Sequence, residues 1–357
     1  MSEDLSQALQ AQVQAAYAQG RTLDIQAGKS KTWYGNPTEG EILAVAGHSG
    51  ILNYEPSELV ITARAGTRLT ELEATLAAHG QCLAFEPPHF AETATLGGTI
   101  ASNFSGPARP YLGAARDFVL GCKLINGQGE ILQFGGQVMK NVAGYDVSRL
   151  MAGALGTLGV LLELSLRVIP KPETELTLVN TLSTTDMLQQ ANHSARLPLP
   201  LSGFAYLDGQ AYIRLSGTEG AVKQASAFIG GTALAAGTNF WLSLREQQLA
   251  FFQTTEPLWR LSLPADTGVL ELAGSTLYDW GGAQRWLVSN LDALQIRNTV
   301  AEYGGHATLF RRSSEPTPVS PSVFQPLTPE LMHYHRQLKQ AFDPKGLFNP
   351  NRLYLGL

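Results

Sequence analysis

Three glycine-rich segments hold the residues best suited to bind an anionic or flat ligand. Residues 25–31 read I-Q-A-G-K-S-K, a short strand that runs into a turn of small residues with two lysines. Successive backbone amides in such a turn form a concave site for phosphate, and Lys29 and Lys31 add positive charge. The turn is therefore either a phosphate site or an ordinary glycine turn.

The second segment, residues 94–113, is long and dominated by small residues. Gly97 and Gly98 would let a diphosphate or a ring approach the backbone closely, and Thr95, Ser102 and Asn103 supply hydrogen-bonding groups. A flat ligand suits this surface, and a purely structural glycine-rich loop is the alternative.

The third segment spans residues 139–160, where glycines recur without the G-x-G-x-x-G order of a nicotinamide-binding turn. The sequence also contains neither a G-x-x-x-x-G-K-[ST] phosphate loop nor a G-x-S-x-G elbow. The glycine segments therefore predict neither a nicotinamide site, a nucleotide triphosphatase nor a serine hydrolase.

Composition excludes several classes of function. The chain has 357 residues and a formal charge of −5, so it lacks the basic face of a nucleic-acid-binding protein. Cys82 and Cys122 are far apart and have no companions at metal-ligand spacing, so we predict free thiols and no metal site. The N-terminus lacks the basic start of a signal peptide, and no apolar stretch is long enough to span a bilayer. We therefore expect a cytoplasmic protein, membrane-associated only through partner subunits.

Hydrophobic spacing predicts the elements that must position these segments. Helices are expected around 5–17, at 70–78 with a capping box of Thr70 and Glu73, at 219–229 and at 329–342. The last helix should turn Leu331, Tyr334, Leu338 and Phe342 to one face. Short strands are expected at 23–27, 42–46 and 59–63, a half-buried strand at 163–168, and a hairpin around Asp208-Gly209-Gln210.

Pro170 and Pro172 break the chain after the strand at 163–168, and five prolines between 313 and 329 exclude regular structure there. The predicted domains are residues 1–172, a smaller α+β domain at 173–315, and a C-terminal segment at 316–357 that returns to the first domain.

The order of these motifs resembles the FAD-binding domain of the vanillyl-alcohol oxidase/p-cresol methylhydroxylase flavoprotein superfamily. The turn at 28–31 is followed by Ala65-Gly66, by T-L-G-G-T-I-A-S-N at 95–103, by N-x-x-G-Y-D at 141–146 and by G-T-L-G-V at 156–160. The closing F-D-P-K-G-L-F-N-P-N at 342–351 is similar to that of the superfamily.

Residues 104–111, 115–119, 138–150 and 304–311 resemble, more narrowly, the FAD-binding (E) subunits of bacterial glycolate oxidase. The resemblance implies an α+β fold, with a two-part FAD-binding domain and a smaller α+β cap domain.

The resemblance also implies the cofactor and its binding residues. Gly28, Lys29, Ser30 and Lys31 would hold the diphosphate of FAD, and Gly156 and Val160 would line its adenine end. The residues that would line the flavin and ribityl chain are Thr95, Leu96, Gly97, Gly98, Ala101, Ser102 and Gly106. Covalently flavinylated relatives usually place a His in the turn, but residues 28–32 contain neither His nor Cys. We therefore expect FAD to be non-covalent.

Oxidation of a 2-hydroxy acid needs a cation for the carboxylate and a base for the hydroxyl proton. Of the seven histidines, His306 stands between a glycine pair and two arginines, and it is the candidate base. Related D-2-hydroxy-acid dehydrogenases carry E-H-G-I-G and H-x-G-D-G-N-x-H segments that are not intact here. A structural hydrogen-bonding role for His306 remains the alternative.

Two functions follow from the resemblance. In the first, the chain is the FAD-binding subunit of a heteromeric glycolate (short 2-hydroxy acid) oxidase, with hydride transfer from C2 to flavin N5 and electrons passed to an iron–sulfur partner or quinone. In the second, it is a non-catalytic FAD-bearing or assembly subunit, with the chemistry in a homologous larger flavin subunit. A reductase of the UDP-N-acetylenolpyruvoylglucosamine type is a weaker third interpretation.

Overall fold

The computed structural model describes residues 3–136, 146–313 and 322–357. The chain divides into two compact units. The first unit comprises Met1–Ser105, Ala114–Pro170 and Pro326–Leu357, and the second comprises Gly106–Gly113 and Lys171–Gln325. Most of the N-x-x-G-Y-D motif and residues 314–321 of the proline-rich stretch lie outside the described residues.

The described residues form ten α-helices and short 3₁₀ turns at Ala115–Phe118, Ala250–Phe252 and Trp280–Gly282. The helices are α1 (Ser6–Gln19), α2 (Leu69–Ala78), α3 (Leu96–Ser102), α4 (Arg109–Leu112), α5 (Val147–Leu150), α6 (Thr184–Ala195), α7 (Glu219–Ile229), α8 (Gly237–Arg245), α9 (Ala293–Glu302) and α10 (Pro329–Phe342).

Both units also contain strands. In chain order they are β1 (Leu23–Gln26), β2 (Glu41–Ala44), β3 (Ile51–Glu55), β4 (Val60–Arg64), β5 (Gln81–Cys82), β6 (Val119–Ile125), β7 (Ile131–Gly135), β8 (Val160–Arg167), β9 (Ile169–Pro170), β10 (Thr174–Thr181), β11 (Leu201–Leu207), β12 (Gln210–Gly217), β13 (Thr232–Ala233), β14 (Leu258–Ser262), β15 (Ser275–Asp279), β16 (Gln284–Val288) and β17 (His306–Arg311).

The first unit is built on an antiparallel sheet with the order β3-β4-β8-β6-β7, and β1 and β2 form a separate parallel pair. Its core packs the apolar faces of α1 and α2 with the leucines of β8. β8 lies between two strands and is buried along most of its length, so the half-buried strand expected there is wrong. The Ser165 hydroxyl is hydrogen-bonded within this core, 2.8 Å from Thr62 Oγ1.

The second unit contains one antiparallel sheet of eight strands in the order β13-β10-β12-β11-β15-β16-β14-β17. The hairpin predicted at Asp208-Gly209 is confirmed. Both residues have positive φ, 50° and 78°, which a two-residue hairpin loop requires and which Asp and Gly tolerate. Helix α7 has the bounds predicted from the sequence.

Two predicted helix details are wrong. Helix α2 begins at Leu69 after the extended Arg68, so Thr70 lies inside the helix and forms no capping box. The Leu69 N–H instead donates to Ala94 O at 3.0 Å, and the Leu69 side chain is buried in the core. Packing of Leu69 therefore determines where the helix starts. Helix α10 has the predicted bounds, but Leu331 and Tyr334 are exposed, and only Leu338 and Phe342 of the predicted face pack against the core.

Candidate functional site

The first unit contains a cavity of about 330 Å³. It is bounded by the end of β1 and the turn that follows, by α3, by the segment around 151–161, and by the C-terminal residues Asn349 and Arg352. The lining brings together most of the residues predicted to bind FAD, namely Gly28, Lys29, Ser30, Lys31, Thr95, Gly97, Gly98, Ala101, Ser102 and Gly156.

The turn after β1 depends on a glycine that no other residue could replace. A Cβ added to Gly28 would lie 1.7 Å from Thr93 O, closer than any real contact, so the turn packs directly on the backbone before α3. Lys29 follows with a left-handed backbone (φ 58°). Lys31 Nζ donates to Ser30 Oγ at 3.3 Å and to His89 O at 3.2 Å, which holds its charge beside the turn.

Helix α3 forms another wall of the cavity and starts with a side-chain cap. Thr95 Oγ1 accepts the Gly98 N–H at 3.3 Å, and Leu96 and Ile100 fix the helix in the core. A Cβ on Gly97 would lie 2.7 Å from Ala65 Cβ, whereas a Cβ on Gly98 would meet only Thr95 Oγ1 at 3.2 Å. The glycines thus let α3 pack closely on its neighbour and leave its backbone open to the cavity.

Three residues predicted to contact FAD do not line this cavity. The Leu96 and Val160 side chains point into the hydrophobic core, with exposed fractions of 1% and 0%, although the adjacent Gly97 and Gly159 do line it. Gly106 belongs to the second unit, where its carbonyl accepts the Trp280 indole N–H at 3.0 Å.

Asn349 lines the cavity and was not singled out from the sequence. Its Oδ1 accepts the Ile25 N–H at 2.8 Å, and its Nδ2 donates to Leu155 O at 2.7 Å. One buried side chain therefore joins β1 to the segment that carries Gly156. The N-P-N of the closing segment is the only local sequence signal for this role.

Arg352 also lines the cavity and hydrogen-bonds to the chain that follows the turn. Its guanidinium donates to Thr32 O at 2.7 Å and to Asn36 O at 3.2 Å. Burial lowers the pKa of Arg352 and the Asp24 carboxylate opposes that shift. An arginine side chain remains charged in proteins, so Arg352 adds a third cation to Lys29 and Lys31.

The closing segment is fixed by a buried ion pair. Lys339 Nζ contacts Asp343 Oδ2 at 2.8 Å and donates to the Thr157 and Phe348 carbonyls. The Asp343 carboxylate also accepts the backbone N–H groups of Leu347 and Phe348. Burial lowers the pKa of Lys339 and the Asp343 carboxylate raises it in return. These contacts hold residues 347–349 against the segment that follows Gly156.

The cavity fits FAD in its charge, backbone and unused polar groups. Three cations and the backbone of the Gly28 turn suit a diphosphate. Gln26 Oε1 and Thr38 Oγ1 are buried at the cavity without a hydrogen-bond partner among the described residues, as expected of groups that meet a ligand. None of the described lining residues is His, Cys or Tyr, the usual points of covalent flavin attachment.

His306 belongs to the second unit, at the exposed start of β17. Desolvation lowers its pKa below 6.5, and the Arg260 and Arg109 guanidiniums lower it further. Arg109 stacks on Trp280, with its guanidinium carbon 4.4 Å from the ring centroid, and Trp280 has a left-handed backbone (φ 54°). The imidazole is therefore held neutral, in the form that accepts a proton, in an environment made positive by two arginines.

Two further features bear on the sequence predictions. Cys82 and Cys122 are free, and the described residues contain no group of three or more His, Cys, Asp or Glu side chains placed to hold a metal ion. Among the described residues, no helix is both long and apolar enough to cross a membrane.

Comparison with known proteins gives a relative that matches over almost the full length of the chain. The chain is 48% identical over 354 residues to glycolate oxidase subunit GlcE of Escherichia coli (strain K12), which covers 99% of both chains. It is also 34% identical over 156 residues to glycolate oxidase subunit GlcD of Bacillus subtilis (strain 168), which covers 43% of this chain and 33% of GlcD.

A family model and a solved structure bear on the cofactor and the fold. Residues 5–135 match the family described as FAD binding domain, which confirms FAD as the predicted cofactor. A solved structure of alkyldihydroxyacetonephosphate synthase is similar with a TM-score of 0.67 at 16% identity, covering 97% of this chain and 76% of that one. These matches confirm the predicted α+β fold of the vanillyl-alcohol oxidase/p-cresol methylhydroxylase type.

Proposed function

The chain belongs to the GlcE family of glycolate oxidase subunits, and on that premise we propose that it is the FAD-binding subunit of a heteromeric oxidase of glycolate or a related short 2-hydroxy acid. The observation that carries the proposal is the cavity of the first unit, which combines three cations, an open backbone and unused polar atoms.

The cavity residues suggest one order for the three parts of FAD. The Gly28–Lys31 turn takes the diphosphate, Thr95 and helix α3 take the flavin and ribityl chain, and the Gly156 end takes adenosine. Leu96 and Val160 do not line the cavity, because their side chains lie in the core; the adjacent Gly97 and Gly159 line it instead. We propose that FAD is held non-covalently, and the described lining supports this because it contains no His, Cys or Tyr.

His306 is the proposed base for the substrate hydroxyl. When bound, FAD supplies the acceptor for the hydride from C2. The neutral imidazole takes the hydroxyl proton at a ring nitrogen, and its lowered pKa keeps it unprotonated at neutral pH. Arg109 and Arg260 supply the cation that a substrate carboxylate needs, because both guanidiniums act electrostatically on His306.

The proposed partners are a homologous larger flavin subunit and an iron–sulfur subunit. The GlcD match supports the first, since GlcE and GlcD are both named as subunits of glycolate oxidase. The iron–sulfur subunit gives electrons a route onward to a quinone, because the two cysteines of this chain are too few to bind a cluster. The cytoplasmic location, with membrane association through partners, stays a prediction.

Anaerobic reduction of the FAD-loaded full chain by glycolate tests the catalytic part of the proposal. We expect glycolate to bleach the visible flavin absorption of the wild-type chain. His306→Gln should bind FAD normally but be bleached ~100-fold or more slowly, the usual loss when a general base is removed. Absorption that persists with every short 2-hydroxy acid tried would contradict catalysis and leave the non-catalytic FAD-bearing subunit as the function.

A further inference from the structure

Trp280 has a backbone conformation that its side chain does not favour. It lies in the loop that joins β15 to β16, and its φ is 54°. The next two residues, Gly281 and Gly282, have φ values of 64° and 96°, which glycine adopts without a steric penalty. A bulky aromatic residue in this left-handed region is an outlier, and such outliers cluster at functional sites. The indole therefore supplies something at this position that a third glycine would not.

The strained backbone of Trp280 is fixed by the strands around it. Asp279 ends β15 and pairs with Gln284, the first residue of β16. The buried Asp279 carboxylate accepts the Trp280 N–H at 2.8 Å and the Gln284 side-chain amide at 3.0 Å. The Leu263 N–H, just after β14, donates to the Ala283 carbonyl at 2.9 Å. The sheet thus sets the orientation of the loop and of the indole that it carries.

The indole is bonded at its edge and covered on its face by one short segment, Gly106–Gly113. The Trp280 indole N–H donates to Gly106 O at 3.0 Å, and the same carbonyl accepts the Arg109 N–H at 3.2 Å. The Arg109 guanidinium carbon lies 4.4 Å from the ring centroid, within the range of a cation–π contact. Trp280 is buried, so the contact is largely shielded from water. Edge and face together fix the position of the Arg109 side chain.

Arg109 and Arg260 both act electrostatically on His306, but they are held in different ways. Ser262 of β14 pairs with His306 of β17, and the next residue on the same face of β14 is Arg260. The strand register therefore places Arg260 beside His306. Arg109 extends from α4, a helix of only four residues, and a helix this short has little stability of its own. The side chain of Arg109 therefore needs an anchor outside its own helix.

We propose that Trp280 is a positioning residue, whose ring holds the Arg109 guanidinium near His306, where a substrate carboxylate binds. The proposal rests on the proposed function, because that function assigns the carboxylate to Arg109 and Arg260. It adds a reason for the left-handed loop at 280–282, which presents the ring to Arg109.

Trp280→Leu and Trp280→Phe in the FAD-loaded full chain test the proposal. Leu removes the ring, whereas Phe keeps a ring and loses only the indole N–H that bonds to Gly106. The probe is oxalate, a two-carbon carboxylate that has no C2–H to transfer, and calorimetric titration measures its affinity. We expect Trp280→Leu to weaken oxalate binding by roughly 3- to 10-fold and Trp280→Phe to weaken it less. The KM for glycolate should rise by a similar factor, with kcat within about twofold of the wild type.

Two measurements separate the positioning of Arg109 from a general loss of structure. In an Arg109→Gln background, Trp280→Leu should weaken oxalate binding by less than about twofold, because no guanidinium is left to hold. In NMR titration, the His306 midpoint should rise in Trp280→Leu, in the same direction as in Arg109→Gln and by no more. Trp241→Leu is the matched control, since it removes the ring on which a different arginine, Arg214, stacks. It should change neither the oxalate affinity nor the midpoint.

Trp280→Phe is analysed by the same cycle, so the test does not depend on the folding of Trp280→Leu. Its smaller loss should likewise disappear in the Arg109→Gln background. Unchanged oxalate affinity and an unchanged His306 midpoint in both Trp280 variants would overturn the proposal while the proposed function stands. An equal loss with and without Arg109 would also overturn it, because Trp280 would then act independently of Arg109. A wild-type chain that binds neither oxalate nor glycolate would overturn the proposed function, and with it the carboxylate site.

Discussion

Asn349 Oδ1 accepts the main-chain N–H of Ile25 at 2.8 Å, between residues 324 positions apart in the sequence. The amide nitrogen of the same side chain donates a hydrogen bond to the Leu155 carbonyl. The end of the chain thus closes a cavity whose other walls come from its first half. The similarity of the closing segment to its superfamily therefore has a physical basis, because this segment fixes the distance between two walls of the FAD site.

Replacement of Asn349 should loosen the cavity. Asn349→Ala leaves the Ile25 N–H and the Leu155 carbonyl unpaired and places Ala in a left-handed backbone (φ 40°). We expect a loss of about 2–4 kcal/mol in the free energy of unfolding and a roughly 10-fold weaker affinity for FAD. Denaturant unfolding and FAD titration measure the two effects.

A second variant separates the two bonds of Asn349. Asn349→Asp keeps the acceptor for Ile25 and loses the donor to Leu155, so its loss should be intermediate. The exposed Asn298→Ala is the control and should change neither quantity. Wild-type FAD affinity in Asn349→Ala would contradict the bracing role.

Gly28 should tolerate no side chain. In Gly28→Ala the new Cβ would meet Thr93 O at 1.7 Å, so the turn must move away from α3. We expect FAD affinity to fall by roughly 10- to 100-fold, which corresponds to about 1–3 kcal/mol of strain. Gly220→Ala is the matched control, because nothing lies within 4 Å of its added Cβ. An unaffected FAD affinity in Gly28→Ala would exclude the turn as the diphosphate site.

The arginines near His306 should control its protonation. Desolvation lowers the His306 pKa first, and Arg260 and Arg109 lower it further, so the ring should titrate below 6.5. Arg260→Gln should raise this pKa, and the exposed Arg196→Gln should leave it unchanged. NMR titration of ring-labelled histidines measures the midpoint, with His306→Gln used to assign the signal. A midpoint that Arg260→Gln and Arg109→Gln both fail to move would contradict this electrostatic account.

His48 should make the fold sensitive to acid. The Leu5 N–H donates to His48 Nδ1 at 3.1 Å, so the buried ring must stay unprotonated at that atom. Burial lowers the pKa of His48 below 6.5; Asp4 and Glu163 raise it, and Arg64 lowers it. The unfolded chain then binds the proton more tightly, so stability is complete above about pH 6.5 and falls as the pH drops toward the folded-state pKa.

The expected slope is up to ~1.4 kcal/mol per pH unit for this one group. Denaturant unfolding at several pH values should show a flatter dependence in His48→Gln than in the wild type. His333→Gln, an exposed histidine, should keep the wild-type slope. Identical slopes in His48→Gln and the wild type would show that His48 does not carry the acid sensitivity.

The spacing of residue types along the chain predicted the structure correctly where neighbouring residues alone determine it. Asp208-Gly209 forms a hairpin turn because both residues tolerate positive φ, and α7 and α10 have the bounds predicted from the sequence. The predictions from spacing were wrong where tertiary packing determines the structure. Because Leu69 is buried in the core, α2 starts at Leu69 and not at Thr70, and Leu331 and Tyr334 of the predicted α10 face are exposed.

The sequence likewise predicted only part of the candidate site. The glycine motifs identified the turn and α3, but Leu96 and Val160 within them serve the core. Asn349 lies in the closing segment at 342–351 and Arg352 directly follows it, but the residue types there gave no role for either side chain. Their roles arise from contacts between distant parts of the chain, which residue types and spacing do not encode.

The most direct test of the central claim is the visible spectrum of the purified chain before and after acid precipitation. Non-covalent FAD in the cavity of the first unit predicts flavin absorption that passes wholly into the supernatant, and an FAD content much reduced in Gly28→Ala. A chain that stays colourless after FAD is added, or a precipitate that keeps its colour, would contradict that claim.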